Sequence, residues 1–248
     1  FKMASTYGVP DGSSLADWPI DYDEIAPWYE VAEHEIGVAG DAAAMTHLPA
    51  YARDYPMPPL EATLQARRYR RAAGELGWPT VPVPITLNSR PYQGRPACTR
   101  CQHCVGFACP VDAKNGSHNT LIPRGRLTGR LTLRTGAVVA RIEHDGFRAR
   151  GVTWFEGETR RSATAETVVV AAGAIESARL LLLSGIGGDQ VGRHLQGHVY
   201  TGATARFDEE IWDGQGPGVT TATCRWSHGN EGMVGGGMLA DEFIMLPI

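Results

Sequence analysis

The feature that most constrains this chain is the run Thr167-Val168-Val169-Val170-Ala171-Ala172-Gly173, followed by a leucine-rich stretch that ends in Ser184-Gly185-Ile186-Gly187. A near-continuous β-branched segment is what a strand buried on both faces of a parallel sheet requires, since neither face then meets water. At Ala172-Gly173 the side chains shrink to almost nothing. Small residues at the carboxyl end of such a strand let a ligand approach the main chain, and open α/β sheets bind nucleotides in the crevice there. The stretch predicts a cofactor edge. Upstream, Leu131–Thr135 and Val138–Glu143 alternate as half-buried strands, and Gly151–Phe155 returns across a turn containing Asp145-Gly146.

Gly173-Ala174, Ser177, Leu180-Leu181 and Ser184-Gly185-Ile186-Gly187 fall at the spacing of the second signature of the glucose-methanol-choline (GMC) oxidoreductases, which the chain resembles. Ala178 departs from that signature, which usually has proline; alanine is a good helix former, so the departure is mild. The resemblance implies a mixed α/β fold: part of an FAD-binding Rossmann-like domain plus the start of an antiparallel-sheet substrate domain. It implies oxidation of a CH–OH group of a sugar or related alcohol by hydride transfer to FAD. Ala172 and Gly173 become cofactor-binding candidates. Thr135-Gly136-Ala137-Val138-Val139 is similar to the family's Thr-Gly-x-x-Val segment and makes Val139 the candidate for a backbone contact to the adenine. Val191–His198 is similar to a further family stretch, with His194 replacing asparagine and Gly197 replacing aspartate. On that likeness His198 belongs to a structural crossing point and is no general base.

A Gly-x-Gly-x-x-Gly turn after a strand, which would hold the pyrophosphate on helix amides, is missing, and the chain opens on Phe1. The expectation is a central fragment that carries no catalytic residue, is inactive by itself and binds FAD weakly or not at all. Residues 1–93 would be a helical and loop part of the substrate or cap region. Residues 94–200 would be the central FAD-binding part, including a cysteine-rich loop, and 201–248 the beginning of the substrate-binding sheet. Bacterial pyranose and C-glycoside oxidases look closest.

Within the first of these, Asp21 and Glu24 have capping-box spacing, and Ile25, Trp28, Tyr29, Ala32 and Ile36 recur at helical intervals until Gly37, predicting a helix with a core-facing stripe. A second helix is predicted from Leu60 to about Leu76, its Arg67, Arg68, Arg70 and Arg71 a solvated face. The prolines of Val81-Pro82-Val83-Pro84-Ile85 confine it to an edge strand or a connector. Leu121–Leu127 reads as a short helix. Ala203–Phe207 and Val219–Cys224 alternate as antiparallel strands.

Cys98, Cys101, Cys104 and Cys109 form C-x2-C-x2-C-x4-C, followed by Pro110. Four sulfurs in so short a stretch could converge on zinc or an iron-sulfur cluster, could remain reduced structural thiols, or could pair as disulfides. The region resembles that of membrane-linked GMC dehydrogenases with an iron-sulfur centre, and from Cys104 to Thr120 it looks closer to bacterial pyranose and C-glycoside oxidases, which need no cluster. Oxygen, a quinone or a redox partner would accept the electrons accordingly. An alternative reading is an iron-sulfur or zinc-binding electron-transfer or structural module without flavin. Lys114 and Asn119 are possible cofactor contacts by analogy alone.

A net charge of −4 favours neither nucleic acid nor an anionic membrane as partner. No apolar run approaches the ~20 residues of a membrane span, and no signal peptide opens the chain. The expectation is a soluble protein, cytoplasmic rather than exported.

Overall fold

A computed structural model describes residues 1–49 and 52–242. The chain divides into two compact units, Phe1–Leu131 with Arg206–Ile248, and Thr132–Ala205.

In the first unit, α1 (Met3–Tyr7) precedes α2 (Tyr22–Ile36). The Asp21 carboxylate accepts the Glu24 amide at 3.2 Å while the Glu24 carboxylate accepts the Asp21 amide at 2.9 Å, a complete capping box. Gly37 closes the helix at φ +92°, a conformation that favours glycine. The predicted core stripe is not there: no residue of α2 is buried, and Trp28 is 69% exposed. The helix is held by its C-terminal turn instead, through Tyr92 Oη donating to His34 O at 2.8 Å and His34 Nε2 paired with Asp54 O at 3.0 Å. A helix tethered at its end has no need to bury a face.

Next comes α3 (Leu64–Glu75), which starts later than predicted because Thr63 caps it, accepting the Ala66 amide at 3.2 Å. It buries Ala66 and Ala73. Its arginines do more than meet solvent: Arg68 ion-pairs with Glu209, and Arg70 Nε donates to Thr221 Oγ1 at 2.8 Å. The two-residue β1 (Val81–Pro82) lies at a sheet edge, where a proline without an amide proton is tolerated. A short α4 (Leu121–Leu127) follows the cysteine loop.

The second unit is a meander of β2 (Ala137–His144), β3 (Ala149–Glu156) and β4 (Thr159–Thr164) in the order β2-β3-β4, with α5 (Ala174–Ser184) packed on β2. Asp145 builds the β2–β3 turn by accepting the Phe147 and Arg148 amides at 3.0 and 2.9 Å. Ile142, Gly151, Thr153 and Trp154 are the buried residues of its strands. Back in the first unit, β5 (Thr221–Thr223) and β6 (Leu239–Ala240) complete an antiparallel sheet of order β1-β5-β6.

Every strand pairing in these two sheets is antiparallel, so the fold among the described residues is mixed helix and antiparallel sheet. The parallel strand expected at Thr167–Ala171 is a correction. The segment follows β4 without a ladder, and Val169 is 82% exposed. An apolar run becomes a buried strand only between neighbours that accept its hydrogen bonds, and no described strand pairs with it. Residues 131–135 and 203–207 likewise form no strand.

Candidate functional site

The turn into α5 is the first candidate. Gly173 stands at its N-terminus with φ +86° and ψ 167°, a region essentially restricted to glycine. Ser177 Oγ accepts the Ala172 amide at 3.1 Å, and the Ser177 amide donates to Gly173 O at 2.9 Å, so one serine fixes both small residues. Both are exposed, and a Cβ added to Gly173 would meet nothing within 4 Å. At the other end of the helix, Ser184 Oγ accepts the Ile142 amide at 2.9 Å and His144 Nε2 pairs with Ser184 O at 2.9 Å. These bonds seat α5 on β2, the strand that carries Val139. Val139 pairs with Trp154, beside a register shift at Ala140, and is 37% exposed. The three predicted residues thus belong to one unit, on two elements packed together. Among the described residues nothing blocks the turn, and these residues fit a ligand that needs bare main chain. The Ala172 amide, however, is already committed to Ser177.

The cysteine loop belongs to the first unit. Cys98, Cys101, Cys104 and Cys109 are half-buried free thiols. Cys98 Sγ accepts the Arg100 amide and Cys109 Sγ the Ala113 amide, each at 3.3 Å, in turns where Arg100 and Asp112 have φ +59° and +56°. Burial, aided by neighbouring Cys98 and Cys101, pushes the Cys104 thiol up to about 11. Burial likewise raises Cys98. Cys109 also feels burial, but the amides of Val111, Ala113 and Lys114 outweigh it and hold its thiol below the usual 9.0. The thiols therefore sense one another's charge. Yet among the described residues no three His, Cys, Asp or Glu side chains are grouped so as to hold a metal ion. The grouping decides, because a charge is felt at distances where no ion can be shared. No metal or iron-sulfur site at these four residues is shown among the described residues. The loop is braced from outside its sulfurs: Lys114 Nζ donates to Cys104 O and Phe107 O, both at 3.0 Å, and Gly216 N donates to Arg100 O at 2.8 Å. The four cysteines fit the reading as reduced structural thiols.

The Lys114 amine thus serves the loop. Asn119 does the same: its side chain donates to Asp112 Oδ1 at 2.8 Å and Lys114 O at 3.0 Å and accepts the Gly116 amide at 2.9 Å. What sequence reasoning missed lies next to them. Asn115 Nδ2 donates to Gly37 O at 2.6 Å and Asn88 Oδ1 at 2.8 Å, and its carbonyl oxygen accepts from Arg95 Nη1. Asn88 in turn donates to Pro96 O at 3.0 Å. This buried polar hub joins the end of α2, residues 86–96 and the loop before α4. No local signal marks it, because its partners are 20, 27 and 78 residues away. His198 is exposed in an irregular stretch.

The family model for GMC oxidoreductase matches residues 15–200. The chain is 32% identical over 228 residues to the fructose dehydrogenase large subunit of Gluconobacter japonicus, covering 87% of this chain and 40% of that protein. It is 34% identical over 214 residues to paromamine 6'-oxidase of Streptomyces fradiae, covering 81% and 38%. With the gluconate 2-dehydrogenase flavoprotein of Pantoea cypripedii it shares 28% over 199 residues, covering 72% and 32%. The chain thus spans less than half the length of these relatives. No helix among the described residues is long and apolar enough to cross a membrane. The chain belongs to the GMC oxidoreductase family.

Proposed function

We propose that this chain is the central part of an FAD-dependent oxidoreductase that oxidises a CH–OH group of a sugar or related alcohol. Family membership supports the reaction class, and the relatives named above include two sugar-type dehydrogenases and an oxidase. The observation that carries the reading onto named residues is the open glycine turn at Ala172-Gly173, fixed by Ser177 and unobstructed where a ligand would lie.

When bound, the flavin supplies a two-electron acceptor for hydride. The residues here bind and orient. Ala172 and Gly173 leave the main chain bare at the start of α5, while the helix amides present partial positive charge in the same direction. Val139 offers a strand backbone, and Ser184 with His144 keeps α5 seated on that strand. No residue of this chain is assigned a catalytic role, and no step is routed through the cysteine loop. Oxygen, a quinone or a redox partner takes the electrons.

The test is an absorption spectrum and a dye-reduction assay on the intact enzyme. Flavin bands, bleached by a sugar or alcohol in the absence of acceptor, are expected. A colourless enzyme that reduces no dye with any sugar or alcohol overturns the reading.

A further inference from the structure

We infer that the first unit carries a binding site for a small zwitterion with an apolar body, an α-amino acid such as leucine, between residues 85–87, the cysteine loop and residues 217–219. A cavity of about 270 Å³ lies there, just below the range of sites for drug-sized ligands.

Its walls come from three segments that the fold ties together. Asn115 N donates to Thr86 O at 2.8 Å, which lays Lys114 beside Leu87. Gly216 N donates to Arg100 O at 2.8 Å, and a Cβ at Gly216 would collide with Cys101 O, so only glycine lets the third segment press on the cysteine loop. Asp241 holds the far side. Its carboxylate accepts the Thr220 and Thr221 amides at 3.0 and 2.7 Å, which brings Glu242, the next residue, to the same cavity as Val219. Walls fixed in this way lose little freedom when a ligand enters.

The lining selects the ligand. Ile85, Leu87, Val105, Pro217 and Val219 make most of it apolar, while Lys114 and Glu242 are its two charged residues. The Cys104 thiol, kept neutral by burial, adds no charge. Lys114 Nζ uses two of its three hydrogens on Cys104 O and Phe107 O, each at 3.0 Å, which leaves one for a ligand. Neither Lys114 nor Glu242 is in an ion pair among the described residues, so two opposite charges border one apolar space without meeting. A ligand that carries both signs bridges them. An anion alone meets Glu242, a cation alone meets Lys114, and an uncharged ligand takes both heads out of water without a partner. A metal ion is disfavoured, since no three ligating side chains among the described residues are grouped for one. The apolar walls favour an aliphatic side chain over a polar one.

This inference stands apart from the flavin reading, and its test contains neither sugar nor electron acceptor. L-Leucine, glycine, 4-methylpentanoate and 3-methylbutylamine are titrated into the intact enzyme, with saturation-transfer NMR as the readout. The last two are leucine without its ammonium and leucine without its carboxylate. Saturable leucine binding is expected, with glycine and each single-charge analogue weaker by about tenfold. Glu242→Gln, at an exposed position, should keep the fold, weaken leucine by about threefold and tighten 4-methylpentanoate, since the repelling carboxylate is gone. Lys114 is kept, because it braces the loop. No saturable leucine binding, tighter binding of glycine or of either single-charge analogue, or leucine affinity unchanged in folded Glu242→Gln would overturn the site.

Discussion

The two units are held together by different means. The first has little sheet and joins distant segments through buried amide side chains, with Asn115 and Arg95 at the centre. The second has a regular three-stranded ladder, and its one helix is fixed to it by Ser184. The lesson is where each can tolerate an open edge. A ladder satisfies its own backbone, so the turn at Ala172-Gly173 can stay exposed without cost elsewhere. In the first unit the loops around Asn88, Arg95 and Asn115 depend on partners far along the chain.

Breaking the hub should produce the largest effect. Asn115→Leu strands Arg95, which is 8% exposed and already has one buried Nη2 without a partner, together with the Asn88 carbonyl oxygen. The expected loss is about 3–5 kcal/mol in urea unfolding, the range for removing one partner of a buried charged group. Ser184→Ala should cost less, about 1–3 kcal/mol, by leaving the Ile142 amide unmet. Trp154 is the sole tryptophan of the second unit, so its fluorescence reports that unit selectively. Equal losses in the two variants would erase the contrast.

A smaller contrast appears in acid. The Phe147 and Arg148 amides, with Arg150, hold Asp145 down from 3.8 to about 2. A lowered carboxyl contributes stability above pH 3.8 that is lost as the pH falls towards 2. Asp241 in the first unit behaves oppositely: burial raises its carboxyl above 3.8 despite the Thr221 and Thr220 amides. Its folded form prefers the proton, so its contribution is greatest in acid and declines as the pH rises from 3.8 through the raised value. Melting followed at Trp154 should therefore lose part of its acid sensitivity in Asp145→Asn, the rest belonging to Glu156, whose carboxyl the Trp154 indole and Arg134 also hold low. In Trp154→Phe, where the remaining tryptophans report the first unit, adding Asp241→Asn should remove a contribution of the opposite sign. Changes of the same sign from the two substitutions would contradict the assignment.

Much of the helical framework was legible because its signals are local. Asp21 with Glu24, Gly37 and Gly185 mark helix ends within a turn of where they act. The β2–β3 hairpin was legible for the same reason, through Asp145-Gly146. β4 was not, since Thr-Arg-Arg-Ser-Ala-Thr is polar on both faces and offers no alternation. Thr167–Ala171 misled in the other direction: a β-branched run reports that a strand could be buried, not that neighbours exist. Trp28 and Tyr29 misled similarly, because helical spacing says which residues share a face and not what covers it. At the site, the smallness of Ala172 and Gly173 could be read directly. That Ser177 would claim the Ala172 amide, or Lys114 the cysteine loop, could not.

The central claim is that bare main chain at the start of α5 receives the cofactor. It is tested most directly by titrating FAD into the intact apoenzyme and its Ala172→Leu variant. The account predicts an unchanged unfolding midpoint, since Ala172 is exposed, with FAD affinity lowered by about tenfold or more as the added side chain fills the approach. Unaltered FAD affinity in a folded Ala172→Leu enzyme would contradict it.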